Sequence, residues 1–202
     1  SSLLREEQEN TIYRALRGDE ALPVIQAKEN LYIVPSSLEL AGIELELSGR
    51  MSREFIIKEL IEPVLPEYDY ILLDCPPSLG LITINALTAS HYLYIPLTAE
   101  ALPSKGLTML LDIMGMVQKR LNKDIALGGI IITRWEKSNL SLMVEEMLRA
   151  TYGEIVFTTK IRKNVSVAEA PLHSKDVIAY APTSNGAKDY RALVNEILYK
   201  GG

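Results

Sequence analysis

The sequence predicts an α/β protein with a mostly parallel sheet and helices on both faces. Three observations predict it. Residues 70–73, 92–96 and 127–133 are apolar without alternation, which is the pattern of strands buried on both faces. Between them lie stretches of ten or more residues with apolar positions at helical spacing, best developed in Leu107, Leu110, Leu111, Met114, Val117 and Leu121. Strand and helix patterns alternate along the chain, which calls for right-handed crossovers and a three-layer arrangement.

The elements follow in order. Residues 3–17 read as a helix with Leu3, Leu4, Ile12, Ala15 and Leu16 apolar and Gly18 as its stop. A second short helix is expected over 20–27. Residues 31–34 are a short β-rich run ended by Pro35, hence a strand. Ser36 or Ser37 caps a helix running to about Leu47. Residues 52–62 form another, with Phe55, Ile56, Leu60 and Ile61 on one face, closed by Pro63 and Pro66. The apolar run 70–73 ends on Asp74, and Cys75, Pro76 and Pro77 stop it, since proline brings no ladder donor. Ser78 caps a helix through about Ala89. Residues 92–96 form the next strand, followed by a loop to Pro103, and Ser104 caps the long helix. Residues 127–133 form a strand, 140–152 a helix closed by Gly153, and 155–158 a short strand. The last helix, 186–199, turns Tyr190, Leu193, Val194, Ile197 and Leu198 inward. No repeat, low-complexity tract or linker interrupts the pattern, so residues 1–202 are expected to form one domain.

Composition narrows the function classes. With 48% hydrophobic residues and 23% charged ones, the 202-residue chain is globular. Cys75 is the only cysteine, which excludes an intrachain disulfide and a cysteine-based zinc site and fits a reducing cytoplasm. No run of about 18 apolar residues occurs, so no membrane-spanning helix is expected. No signal-peptide pattern opens the chain. The net charge of −5 is uneven: residues 1–100 carry 7 basic and 16 acidic residues, residues 101–202 carry 14 and 10. Such asymmetry fits a polyanion-facing surface or an ordinary soluble one.

Asp74 is the first candidate for chemistry. It stands at the carboxyl end of a strand, where open α/β sheets place ligands. An apolar strand ending in Asp is one way to hold Mg²⁺ beside nucleotide phosphates; a turn cap is the other reading. Glu100 follows a strand end, where a functional acid and a surface charge are both open. Asn85 reads as a polar contact, Cys75 and Trp135 as packing residues. His91 and His173 are the only histidines and lie far apart, which leaves a histidine metal site or a Ser-His-Asp triad without support. Lys160, Arg162 and Lys163, with Arg134, Arg149, Lys188 and Arg191, are the basic candidates for a phosphate backbone.

Together, TIYRALRGD (11–19), LYIVPSSLELAGIELEL (31–47), YDYILLDCPPSLGLITINAL (68–87), the stretch from Ile95-Pro96 to Gly106-Leu107, NVSVAEAP (164–171) and GAKDYRALVNEIL (186–198) resemble the ParA/Soj family. These are chromosome and plasmid partitioning ATPases of the deviant Walker-A class of P-loop NTPases. The resemblance keeps its order over nearly the whole chain. It implies that Asp74 is the Walker-B acid, which holds Mg²⁺ through water, and that residues 76–80, with Pro76 and Pro77, form switch II. Thr133 and Arg134 are similar to the segment bordering the nucleotide base, and Arg162, Lys163 and Asn164 to the second base-side loop. The family has Pro-Arg-Asn in that loop, and it has Gly where this chain has Ser174. The resemblance further implies ATP hydrolysis to ADP and phosphate in an ATP-sandwiched homodimer. That dimer would bind DNA without sequence preference through Lys160, Arg162, Lys163, Arg149 and Lys188. A centromere-binding ParB-like protein would stimulate it. The location would be cytoplasmic and nucleoid-associated, with no membrane partner.

The larger departure from the family is an absence. No lysine-containing glycine-rich loop (K-G-G-x-G-K-[ST]) and no Asp-x-Asp strand end occur in it; the Gly-Gly pairs are Gly128-Gly129 and Gly201-Gly202. That loop supplies the N–H cradle and the Lys that hold the phosphates. The expectation is therefore a piece of a working ATPase, lacking the strand and loop of the nucleotide cradle and inactive by itself, with an exposed apolar sheet edge. The alternatives are a non-hydrolysing interaction module of the same fold and a MinD-like division-site ATPase. The latter needs a basic amphipathic membrane helix at its C-terminus.

Overall fold

A computed structural model describes residues 11–100 and 105–200. The chain divides into two compact units, Ser1–His91 with Asp112–Ile125, and Tyr92–Leu111 with Ala126–Gly202.

In the first unit, α1 (Ile12–Arg17) ends at Gly18, whose φ of 81° lets its N–H return to the last turn. The predicted helix over 20–27 is replaced by a hairpin. Strand β1 (Ile25–Lys28) pairs antiparallel with β2 (Leu31–Ile33), and Lys28 faces Leu31 across a two-residue turn. Asn30 in that turn has φ 56°, a left-handed conformation that asparagine tolerates. A 3-10 turn, Leu38–Gly42, leads into α2 (Ile43–Leu47). Ser37 stands at the start of that turn but donates its hydroxyl to Glu39 at 2.9 Å rather than capping. Helix α3 (Ile56–Ile61) tightens into a 3-10 turn, Glu62–Glu67, where Pro63 and Pro66 stand. Helix α4 (Leu81–Ala89) follows. Leu16, Ile43, Leu47, Ile56, Ile61 and Ile82 form the core of this unit. The buried amide of Asn85 sews two helices together: it accepts from Ile57 N at 3.1 Å and donates to Arg53 O at 2.7 Å and Leu81 O at 3.0 Å.

The predicted central strand before Asp74 is not formed. Residues 70–76 have no regular secondary structure, and Tyr70 and Leu72 are 71% and 90% exposed. An apolar run becomes a strand only when a neighbour completes its ladder. Among the described residues no strand lies beside it.

The second unit holds the parallel sheet. Strand β3 (Tyr92–Thr98) is followed by α5 (Lys105–Arg120), which belongs to this unit as far as Leu111, and by β4 (Ala126–Thr133). Strands β3 and β4 pair in parallel from Tyr92↔Ala126 to Thr98↔Thr133, with an irregularity between Leu93 and Tyr94. Helix α6 (Asn139–Tyr152) is capped by Ser138, whose hydroxyl accepts from Ser141 N at 3.2 Å. The short helices α7 (Val165–Glu169) and α8 (Val177–Tyr180) precede α9 (Asn185–Lys200). The strand expected over 155–158 is reduced to a 3-10 turn, Gly153–Ile155, and a single parallel bridge from Val156 to Ile130.

The unalternating run in β4 has a direct explanation. Ile130 and Ile132 pack with Ile95, Leu107, Val144 and Leu148, on the side of α5 and α6. Ile131 lies between them in the strand and packs instead with Phe157, Ile161 and Leu193, on the side of α9. The sheet is therefore covered on both faces, the α/β arrangement the sequence predicts. The Ser104 cap lies outside the described residues, as do the first residues of the helix expected over 3–17.

Candidate functional site

In the first unit, Asp74, Pro76 and Pro77 lie on the exposed irregular segment between the 3-10 turn and α4. Ser78 does not cap α4. Gly80 is the N-cap, and the Ser78 carbonyl accepts from Thr83 Oγ1 at 2.6 Å. The cap position is served by Glu44, which sequence reasoning missed. Its Oε1 accepts from Ile82 N at 3.2 Å, and a carboxylate there complements the helix dipole. A Cβ on Gly80 would collide with that carboxylate, so glycine admits the close approach. Among the described residues no three His, Cys, Asp or Glu side chains form a metal-holding group. The donor set at Asp74 is a single exposed carboxylate. It suits Mg²⁺ held through water, because this ion keeps several of its own waters.

In the second unit the two segments read as base-side are brought together. Past the end of β4, Trp135 N donates to Ile161 O at 3.0 Å, and Lys163 N donates to Trp135 O at 3.0 Å. This forms a parallel bridge between Trp135 and Arg162. Thr133 hydroxyl donates to Leu97 O at 3.1 Å, and Thr133 O accepts from Ala99 N at 2.9 Å. Arg134 takes φ 52°, and its guanidinium meets both Glu100 oxygens, each at 3.0 Å. Lys163 Nζ stands 3.6 Å from Glu100 and 3.8 Å from Glu136. Hydrogen bonding from Arg134 holds the Glu100 carboxyl below the usual range. Asn164 caps α7, accepting from Ser166 N at 3.0 Å. Thr133, Arg134, Arg162, Lys163 and Asn164 thus share one edge of the unit, beyond the carboxyl ends of β3 and β4.

The other basic candidates are largely neutralised. Lys160 Nζ lies 2.8 Å from Glu145, which also pairs with Arg149 Nε at 3.1 Å. Burial alone would raise Glu145, but hydrogen bonds from Lys160 and Arg149 outweigh it and hold the carboxyl low. Lys160 Nζ also sits 4.4 Å from the Trp135 ring centroid. Arg149 donates further to Phe157 O at 3.1 Å. Arg162 makes a bidentate pair with Asp189, whose shortest contact is 2.6 Å. Lys188 is exposed at the start of α9. Charge counting along the sequence could not find these pairings. Glu145 lies 15 residues from Lys160 and Asp189 lies 27 residues from Arg162, while the Glu145–Arg149 pair is an ordinary i,i+4 helix pair.

A parallel sheet with helices on both faces, and loops gathered beyond its carboxyl edge, defines an α/β fold of the class that places ligands at the carboxyl ends of its strands. The AAA domain family model matches residues 1–127. The chain is 41% identical to the sporulation initiation inhibitor protein Soj of Bacillus subtilis over 96% of its own length and 78% of the relative's. It is 37% identical to the chromosome-partitioning ATPase Soj of Treponema pallidum over 95% of its length and 78% of that protein's. It therefore belongs to the ParA/Soj family of partitioning ATPases. Among solved structures, cobyrinic acid a,c-diamide synthase of Mycobacterium smegmatis, with bound ATP analog and magnesium, matches at TM-score 0.80. That match has 27% identity and covers 96% of this chain and 73% of the other.

Proposed function

We propose that this chain is the part of a ParA/Soj-type partitioning ATPase that carries the Walker-B acid, switch II and the base-side loops. On this reading the two units form a single ATPase domain of a protein that hydrolyses ATP to ADP and phosphate. That protein dimerises around ATP, binds DNA without sequence preference and responds to a ParB-like partner. Family membership over 96% of the chain, with the Asp74-Cys75-Pro76-Pro77 run intact, is the observation that carries it.

The residue roles follow. Asp74 orients the water shell of Mg²⁺, and the ion when bound neutralises charge developing on the phosphates. The segment from Pro76 to Gly80 leads into α4, whose start is tied by Glu44, so a displacement there reaches the helix directly. Thr133, Arg134, Lys163 and Asn164 flank the base. Transfer of the γ-phosphoryl group to water needs positioning and charge stabilisation more than covalent chemistry. DNA binding needs basic side chains free to meet phosphates; Lys163 and Lys188 are the exposed ones among those named, and Lys163 already stands 3.6 Å from Glu100, which makes Lys188 the better candidate.

The test is magnesium-dependent ATP turnover of the full coding-sequence product and of its Asp74→Asn variant. Asp74→Asn is expected to lower kcat by about a hundredfold or more. Equal turnover would refute the assignment of Asp74. Absence of turnover and of ATP binding in the unaltered protein would refute the enzyme reading and favour a non-hydrolysing interaction module.

A further inference from the structure

We propose that Asp189 is a positioning residue for the nucleotide, which through Arg162 holds the base-side loop 162–164, a restraint of the kind a proline at position 162 would give by locking φ. The inference rests on the ATPase reading above.

The loop meets the rest of its unit at two places. On one side Ile161 O and Lys163 N bond to the Trp135 main chain, each at 3.0 Å. The intervening Arg162 N–H is left off that ladder and points the other way. It donates to Asp189 Oδ2 at 3.0 Å. A residue whose N–H is off the ladder is one where proline does no harm to the pairing. Proline there would also stiffen the loop by locking φ. This chain has Arg162 instead, and so carries a backbone donor that needs an acceptor.

Asp189 supplies the acceptor and more. Its carboxylate takes the Arg162 N–H, Arg162 Nε at 2.9 Å and Arg162 Nη2 at 2.6 Å. The fork geometry fixes direction as well as distance. Asp189 is buried on α9, with a side-chain exposure of 10% against 42% for Arg162. The anchor is therefore the rigid partner and the loop residue the one being held. The first turn of α9 also abuts the loop's last residue. A Cβ on Gly186 would lie 3.4 Å from Asn164 Oδ1, and that oxygen caps α7. Lys163 and Asn164 thus stand between a ladder bond on one side and the Asp189 anchor on the other.

Substitution exchanges one restraint for the other. In the full coding-sequence product, Asp189→Ala should raise KM for ATP about tenfold with kcat unchanged, because a loosened base loop removes binding common to ground and transition states. The amides of Lys163 and Asn164 should exchange hydrogen faster in the nucleotide-free protein. The double variant Arg162→Pro with Asp189→Ala removes donor, cation and acceptor together and restores stiffness. It should bring KM back to within about twofold of the unaltered protein, even where its Tm stays lower. Should Asp189→Ala fail to fold, Asp189→Asn serves, since it keeps the shape and loses the charge. An unchanged KM in Asp189→Ala or Asp189→Asn would overturn the proposal, as would a double variant no better than the single one. A protein that binds no ATP in any form refutes the ATPase reading instead, whatever the exchange rates of the loop.

Discussion

At the scale of single residues, acids buried beside bases decide what the basic residues can do. Burial pushes the Asp189 carboxyl up, but hydrogen bonds from Arg162 outweigh it and hold it low. Glu145 is held low in the same way by Lys160 and Arg149. A carboxyl depressed in the folded state contributes stability that is present above its unfolded value, near 3.9 for Asp and about 4.3 for Glu. That stability is lost as pH falls through the folded value. The urea midpoint should therefore fall steeply from about pH 5 to about pH 3, and a Glu145→Gln, Asp189→Asn variant should start lower at neutral pH and fall less steeply. Parallel curves for the two proteins would show that these pairs carry no acid-linked stability. Asp74 draws attention in the sequence because its signal is local, an acid between an apolar run and two prolines, yet the strand that signal implied is not formed. The Glu145–Lys160 and Asp189–Arg162 pairs have no such local signal, since their members stand 15 and 27 residues apart.

At the scale of elements, the alternation of strand and helix was legible wherever a run of residues meets partners that its own pattern implies. Strand β4 is such a case, with neighbours on both faces. The run before Asp74 has the same apolar character and stays irregular, because a ladder needs a second strand and sequence periodicity is silent about who supplies it. Asn85 ties α4 to the start of α3 with two hydrogen bonds, from Ile57 N and to Arg53 O. Asn85→Ala strands the Ile57 N–H and the Arg53 carbonyl, so it should cost about 1–3 kcal/mol of unfolding free energy. Chemical denaturation measures this, and a change below about 0.5 kcal/mol would mean water satisfies those groups. Gly129 in β4 is set by a different constraint. A Cβ there would collide with the Phe157 ring, and Phe157 is fully buried. Gly129→Ala should lower stability by about 1–3 kcal/mol through overpacking, and Gly129→Ala with Phe157→Leu should recover part of it.

At the scale of the whole molecule, the basic residues named for DNA divide into those tied to a largely buried acid and those exposed. Residues 101–202 carry four more basic than acidic residues, yet Lys160, Arg149 and Arg162 are each engaged by Glu145 or Asp189. Salt-dependent DNA affinity counts the phosphates a protein neutralises, not the basic residues it owns. A lysine clasped by a carboxylate releases few DNA counterions, because its charge is already met. Lys188 is exposed on α9 and belongs to the other kind. For the full coding-sequence product with ATP and Mg²⁺, Lys188→Ala should weaken DNA retention and reduce the slope of log affinity against log salt by about one. Lys160→Ala should leave that slope nearly unchanged. Its effect should appear in stability instead, since Glu145 then keeps only Arg149. A slope reduced equally by both substitutions would mean that DNA draws Lys160 away from Glu145. The Lys160–Glu145 contact would then be a gate on the DNA-binding surface rather than a fixed tie.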